Sequence, residues 1–145
     1  MMNSAATRYM LFSTGGLRYA VNVDYLDEIS ELLQEYPIPQ TPRFLRGVVN
    51  IHGKLAAVFD LSMYVGTGPV KKGCNLLLLK MPETSLAIIV EQMERMISGD
   101  EIVSIEQGSG SSGTTTFILP DGKAELLDAE QLVDSMEKSL GVCRT

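Results

Sequence analysis

The 145-residue sequence is poor in the side chains that most catalytic and metal sites use. It contains no Trp, one His (His52) and two Cys, Cys74 and Cys143. Catalytic bases are most often His, and zinc sites are built mainly from Cys and His. Two cysteines this far apart in the chain form neither a disulfide framework nor a Cys-x-x-Cys site. The inventory favours a protein that binds over one that catalyses, with no cofactor and no metal.

Positive charge is also scarce. Lys and Arg number 12 against 18 Asp and Glu, which gives a formal charge of −6. Nucleic-acid grooves and anionic membrane surfaces are recognised by clusters of Lys and Arg, so both partner classes are disfavoured. The longest apolar runs, Leu76–Leu79 and Leu86–Val90, are far shorter than the ~20 residues of a membrane span. We therefore expect a single soluble, cytoplasmic domain with no direct membrane insertion.

Short β-strands dominate the predicted secondary structure. Apolar and polar residues alternate from Leu17 to Val23 after a Gly15-Gly16 turn, which is typical of a strand with one buried face. The other predicted strands are 9–13, 48–51, 54–60, 75–81, 85–90, 115–119 and 123–127, with a short strand and a loop in 97–105. Many short strands joined by Gly and Pro turns indicate small β-barrels.

Three helical segments are predicted between the strands. Asp24 is a candidate N-cap for a short helix in which Tyr25, Ile29, Leu32 and Leu33 share one face. The segment Leu61–Val65 fits one helical turn. Asp128 and Gln131 have capping-box spacing, and they precede a terminal helix with an apolar stripe at Leu132, Val133, Met136 and Leu140.

Two motifs point weakly to chemistry. Residues 108–113 match G-x-G-x-x-G, but a β-prone stretch follows where a dinucleotide site needs a helix, so we interpret 107–113 as a mobile loop. His52 is the one candidate general base, with Ser62, Ser98 or Cys74 as possible nucleophiles. No G-x-S-x-G motif accompanies them, and a small hydrolase using His52 remains the least favoured alternative.

One segment carries a family resemblance. Residues 44–61 read FLRGVVNIHGKLAAVFDL and resemble the signature of the CheW-like family of chemotaxis coupling proteins. Flanking pieces agree in order: residues 18–23 with the first hairpin of the family, 26–29 with its V-x-E-I element, 86–93 with its V-D-x-V strand and 125–132 with its closing L-L-D-x-E-x-L. The resemblance covers approximately residues 8–138.

The resemblance implies a mainly β fold and a function. The fold is a pair of interleaved, SH3-like, five-stranded β-barrel lobes with short helices over residues 8–140, between tails at 1–7 and 141–145. The implied function is that of a non-catalytic adaptor, which binds the regulatory domain of a CheA-type histidine kinase and the cytoplasmic tip of a methyl-accepting chemoreceptor. A groove between the barrels is expected to accept the receptor tip.

Carried over by position, the resemblance also implies site residues. Leu26, Glu28, Gly47 and His52 are the candidate partner-binding residues, and Asn50, Gly53 and Asp60 are the candidate turn and loop residues. Three positions depart from the family pattern: His52 replaces an Arg, Ala57 a Pro and Glu91 an Asp. Because an imidazole lacks the five-donor fork of Arg, a second hypothesis is a divergent accessory protein that binds only one partner, in a pili or second-messenger system.

Overall fold

The computed structural model describes residues 6–31, 33–70, 75–80, 85–108 and 114–139. Over these residues the elements, in chain order, are β1 (Arg8–Thr14), β2 (Leu17–Asn22), β3 (Leu26–Glu31), β4 (Leu45–Ile51), β5 (Lys54–Asp60), α1 (Leu61–Val65), β6 (Asn75–Lys80), β7 (Ser85–Val90), β8 (Gln92–Ser98), β9 (Ser104–Gln107), β10 (Thr115–Leu119), β11 (Gly122–Leu126) and α2 (Ala129–Ser139). One-turn 3₁₀ helices precede β3 and β9.

The strands form two sheets that interleave along the chain. The five-stranded sheet, in the order β3-β6-β7-β5-β4, uses consecutive strands, whereas the six-stranded sheet, in the order β8-β1-β2-β11-β10-β9, draws strands from both sides of it. The predicted mainly β class with two interleaved lobes is confirmed. One sheet, however, has six strands where five were expected.

The strand β8 accounts for that difference. We predicted only a loop and a short strand after residue 97, but Gln92–Ser98 pairs antiparallel with β1. Ile97 is its one fully buried side chain, and most of its other side chains are exposed. Its residues therefore lack the alternation that identifies a strand from sequence.

The helix predicted from Asp24 is wrong. Val23–Tyr25 forms a single 3₁₀ turn whose cap is Asn22, with the Asn22 side chain accepting a hydrogen bond from Asp24 N at 2.9 Å. Residues 26–31 form β3, which pairs antiparallel with β6. The leucines of β6 are buried, so pairing with that strand outweighs the weak local helical pattern.

Most other predicted elements are confirmed to within three residues. These are the β1–β2 and β4–β5 hairpins, α1, β6, β7, the β10–β11 hairpin and α2. The Asp128 side chain accepts a hydrogen bond from Gln131 N at 3.1 Å, as the cap of α2 requires. The predicted Gly/Ser loop, apart from its first two residues, and also Leu32, Leu140 and both cysteines lie outside the described residues.

A shared core joins the two sheets and α2. Phe12 and Tyr19 of the six-stranded sheet pack in one cluster with Phe59 and Ile88 of the five-stranded sheet and with Leu132 of α2. Each lobe also encloses a smaller apolar cluster of its own. The lobes therefore bury their largest apolar surface against each other and fold as one unit.

The segment around Tyr36 runs unusually close to β4. Tyr36 and Val48 exchange two backbone hydrogen bonds, of 2.8 and 2.9 Å. Gly47 has φ +155°, and a Cβ there would lie 2.9 Å from the carbonyl carbon of Tyr36 and closer still to its oxygen. The absence of a side chain at Gly47 is what allows this approach.

Substituting Gly47→Val should therefore destabilise the fold more than Gly16→Val. Both glycines have positive φ, so both variants incur backbone strain of about 1–3 kcal/mol, but a Cβ at Gly16 meets nothing within 4 Å. We expect Gly47→Val to lose a further ~1–3 kcal/mol from the collision with Tyr36, measured by urea denaturation. Equal losses in the two variants would contradict this account of Gly47.

Tyr19 links stability to alkaline pH. Burial, followed by the nearby negative charge of Glu125, raises the pKa of Tyr19 from 10.0 to about 12. Because the folded state holds the phenol proton more tightly, this contribution is complete below pH 10 and is lost as pH rises through about 12. Relative to Tyr19→Phe, the native protein should lose on the order of 2 kcal/mol between these limits. If the unfolding free energies of the two proteins changed in parallel with pH, the predicted contribution of Tyr19 would be contradicted.

Candidate partner-binding site

An exposed hydrogen-bonded contact between two side chains joins the two edges of the five-stranded sheet. Glu28 lies on the edge strand β3, and His52 follows the opposite edge strand β4. Glu28 Oε2 and His52 Nε2 are 2.8 Å apart, and their side chains are 34% and 77% exposed. The sheet therefore curls until its two edges meet at this pair. Two of the four predicted partner-binding residues are in direct contact.

The turn that carries His52 is tightly defined. His52 and Gly53 are the two loop residues between the paired Ile51 and Lys54, and their φ angles are 53° and 85°. Two positive φ values are the mark of a type I′ hairpin turn, whose twist matches that of the strands. Asn50 Oδ1 accepts a hydrogen bond from Gly53 N at 2.8 Å. This brace holds the imidazole at a fixed place on the surface.

Exposed apolar side chains lie on the same five-stranded sheet and on the segment beside β4. Leu55 is 66% exposed and pairs with Asn50 across the hairpin, and Ile29 follows Glu28 on β3 with 40% of its surface exposed. Tyr36, held against β4 by Gly47, is 53% exposed. The surface of this sheet therefore offers apolar as well as polar groups, a mixture that is typical of protein–protein interfaces.

The sequence did not single out Leu55 and Tyr36. Leu55 belongs to a strand whose two faces are both apolar, because Ala57 and Phe59 alternate with Ala56 and Val58. Alternation therefore could not tell which of its residues face solvent. No sequence signal marked Tyr36 beyond its place before Pro37 in an extended segment.

The other two predicted partner-binding residues lie elsewhere. Leu26, half-buried at the start of β3, packs against the core shared by the lobes. Gly47 is buried under the Tyr36 backbone. Gly47 thus allows the close position of Tyr36, and Gly47 itself presents no exposed surface.

Asp60 is a buried carboxylate with a structural set of partners. It accepts hydrogen bonds from Ser62 Oγ at 2.9 Å, Met63 N at 3.1 Å and Val70 N at 3.0 Å. The Arg46 guanidinium lies 4.0 Å away. One side chain thereby caps α1 and fastens the loop that follows it.

Ser62, Ser98 and His52, the candidate catalytic residues that the structure describes, do not assemble. Ser62 donates its hydroxyl proton to Asp60 or Gly68, and Ser98 bonds to Asp100 and Glu101, while the imidazole of His52 contacts Glu28. Within the described ranges, no group of three His, Cys, Asp or Glu side chains is arranged to hold a metal ion. No helix among the described residues is long and apolar enough to cross a membrane.

Comparison with known proteins identifies the family. A sequence model of the CheW-like domain matches residues 8–137. The chain belongs to the CheW-like family. Chemotaxis protein CheW of Klebsiella aerogenes is 25% identical over 148 aligned residues, covering 90% of this chain and 89% of that protein. The scaffolding protein TtCheW from Thermoanaerobacter tengcongensis has the same fold, with a TM-score of 0.74 and 21% identity over 89% of this chain and 86% of the other.

Membership of the CheW-like family answers one open question. CheW-like proteins are non-catalytic scaffold or adaptor proteins of chemotaxis, so this chain is not an enzyme. The hydrolase alternative built on His52 is therefore wrong.

Removing the Asp60 carboxylate should lower the free energy of unfolding. Asp60→Asn places an amide N–H₂ against donors that now face a carboxylate oxygen, and it should cost about 1–3 kcal/mol of unfolding free energy. Asp60→Ala removes every acceptor and should cost more. Asp27→Asn, at an exposed position of β3, is the matched control and should change stability little. Equal denaturation midpoints for Asp60→Asn and Asp27→Asn would contradict the assignment.

Proposed function

We propose that this protein is a chemosensory adaptor that couples methyl-accepting chemoreceptors to a CheA-type histidine kinase in two-component signalling, in the cytoplasm. The observation that carries the proposal is the Glu28–His52 pair, a braced and exposed polar pair at positions where the CheW-like family resemblance puts partner contacts. Of the four predicted partner-binding residues, Glu28 and His52 would contact a partner directly. Gly47 would act through the position it gives Tyr36, and Leu26, half-buried against the core, would support the start of β3.

The exposure of this pair argues for recognition. A polar contact in which one side chain is 77% exposed contributes ~0–1 kcal/mol to stability, because water competes for both groups. Oriented surface charges contribute more to the choice and orientation of a partner than to folding. A pair that does little for the fold, yet sits on a rigid type I′ turn, is well suited to meet a partner surface.

Apolar contacts would supply the remaining affinity. Leu55, Ile29 and Tyr36 expose apolar area on the same sheet and beside it, while charged side chains alone would give a weak and salt-sensitive contact. An amphipathic receptor helix presents apolar residues at helical spacing, which suits such a surface or the groove between the lobes. The kinase regulatory domain is the second expected partner.

His52 bears on how many partners are bound. Its Nε2 is engaged by Glu28, so at most one ring nitrogen remains for a partner. An Arg at this position could pair with Glu28 and still offer further N–H donors in a fixed plane. This difference favours the accessory protein with one partner as the second candidate function.

Calorimetry with both partners separates the candidates. The native chain is titrated with the regulatory domain of the cognate kinase and, separately, with soluble receptor tips. Binding to both supports the adaptor, binding to one alone supports the accessory protein, and binding to neither overturns both. His52→Arg should strengthen binding to whichever partner the native protein holds weakly.

Glu28→Gln tests the site itself. Loss of the carboxylate frees His52 from its orientation and should weaken binding to at least one partner about fivefold, which corresponds to ~1 kcal/mol. Glu106→Gln is the control, since it removes the same charge from the exposed edge strand β9 of the other sheet. Equal affinities for the two variants, with unchanged melting temperatures, would move the binding site away from Glu28.

A further inference from the structure

A cavity walled by tyrosines opens beside α2, away from the Glu28–His52 pair. Its volume is about 500 Å³, and its walls come from β2, α1 and the start of α2. Four of the five tyrosines of the chain line it: Tyr9, Tyr19, Tyr25 and Tyr64. This volume is within the range of small-molecule pockets, most of which are lined by apolar and aromatic side chains.

Aromatic rings cover the cavity from its floor to its mouth. Tyr9 and Tyr19 are almost fully buried, whereas Tyr25 is 36% exposed. Tyr64 is held in place, because its hydroxyl lies 2.9 Å from Ser135 Oγ and its ring packs edge-on against Phe44 and Phe59. A wall fixed in this way loses little conformational entropy when a ligand binds.

The charge around the cavity has one sign. Glu125, Asp128 and Glu130 line it, and the lining residues that the structure describes include no Lys, Arg or His. The N-terminus of α2 opposes them with about half a positive charge, and the Asp128 side chain already caps that terminus. Three carboxylates against half a charge leave the cavity negative.

The negative charge of Glu125 also acts on Tyr19, in the buried part of the cavity. Burial, with the charge of Glu125 as the second cause, raises the pKa of Tyr19 to about 12. The Tyr19 hydroxyl is buried and has no hydrogen-bond partner among the described residues. The floor therefore carries a neutral polar group beneath a negative mouth.

We propose that this cavity binds a small organic cation, an ammonium group bearing alkyl substituents. Tyrosine faces carry the negative part of the ring quadrupole and attract such cations, most strongly where water is excluded. The carboxylates at the mouth attract the charge, and the rings contact the alkyl groups. An anion would meet three like charges, and a neutral ligand would gain nothing from them.

Choline and its neutral isostere 3,3-dimethyl-1-butanol test the proposal directly. The two molecules share a shape, and only choline carries charge. Because the chain has no Trp, tyrosine fluorescence is unobscured, and four of its five emitters line the cavity. We expect a saturable change with choline and binding at least about tenfold weaker with the neutral compound. Nα-acetyl-lysine amide is titrated in parallel. Tighter binding of choline indicates a free quaternary ammonium ligand, and tighter binding of the lysine compound indicates the lysine side chain of a protein partner.

Two pairs of variants locate the binding. Glu125→Gln should weaken choline binding about fivefold, as expected for a charge lost at partial exposure, whereas Glu106→Gln removes the same net charge on β9 and should not. Tyr25→Leu keeps an apolar side chain without a π face and should weaken choline binding about threefold. Tyr36→Leu, which alters the one tyrosine outside the cavity, should leave the affinity unchanged.

Three outcomes would overturn the proposal. Equal binding of choline and the neutral isostere would show an apolar cavity with no preference for charge. Equal effects of Glu125→Gln and Glu106→Gln would show only diffuse attraction to an acidic protein. The absence of a saturable choline signal in a folded, native chain would exclude the site. None of these results bears on partner binding at Glu28 and His52, which is measured separately.

Discussion

The buried carboxylate of Asp60 is the constraint on which the junction of the two lobes depends. A charge removed from water must be fully hydrogen-bonded, and Asp60 meets this need by gathering Ser62, Met63 and the loop at Val70. The helix α1 begins there as a consequence. A Cβ at Gly15, in the β1–β2 turn of the other sheet, would collide with Ser62 and Thr67, so that turn packs directly on the segment that Asp60 organises. Gly15 N also donates to Glu91, which ties the turn to the end of β7.

The Asp60 cluster and the proposed partner-binding pair are opposite kinds of polar contact. Asp60 is 1% exposed, and its partners cannot be replaced by water. The Glu28–His52 pair is open to solvent, and water can replace either partner at little cost to the fold. Burial therefore assigns Asp60 to the scaffold and leaves the exposed pair available to a partner. The same scaffold also shapes the tyrosine cavity, since Tyr64 belongs to the helix that Asp60 caps.

The sequence predicted best where local chemistry and tertiary packing agree. The β4–β5 hairpin follows from apolar runs on each side of a His52-Gly53 turn, and α2 follows from the Asp128 cap and its apolar stripe. Prediction from the sequence failed at the two edge strands β3 and β8. Neither strand buries a full face, since β3 has no fully buried side chain and β8 has one, so their residues carry a weak pattern. In β3 a helical spacing of apolar residues competed with pairing to β6, and the buried leucines of β6 decided the outcome.

By itself, the sequence determined a chain of short β-strands, and its resemblance to the CheW-like family implied two interleaved lobes, a non-catalytic role and the positions at which to look for partner contacts. Turn residues, periodicity and an ordered signature are local properties, so they can be read along the chain. Tertiary structure alone decided that the side chains of Glu28 and His52 are in contact, because the sheet has to curl before side chains at its two edges can touch. It alone brought four tyrosines from separate segments to one cavity and left three carboxylates at its mouth. Such juxtapositions depend on the path of the whole chain and leave no trace in residue spacing.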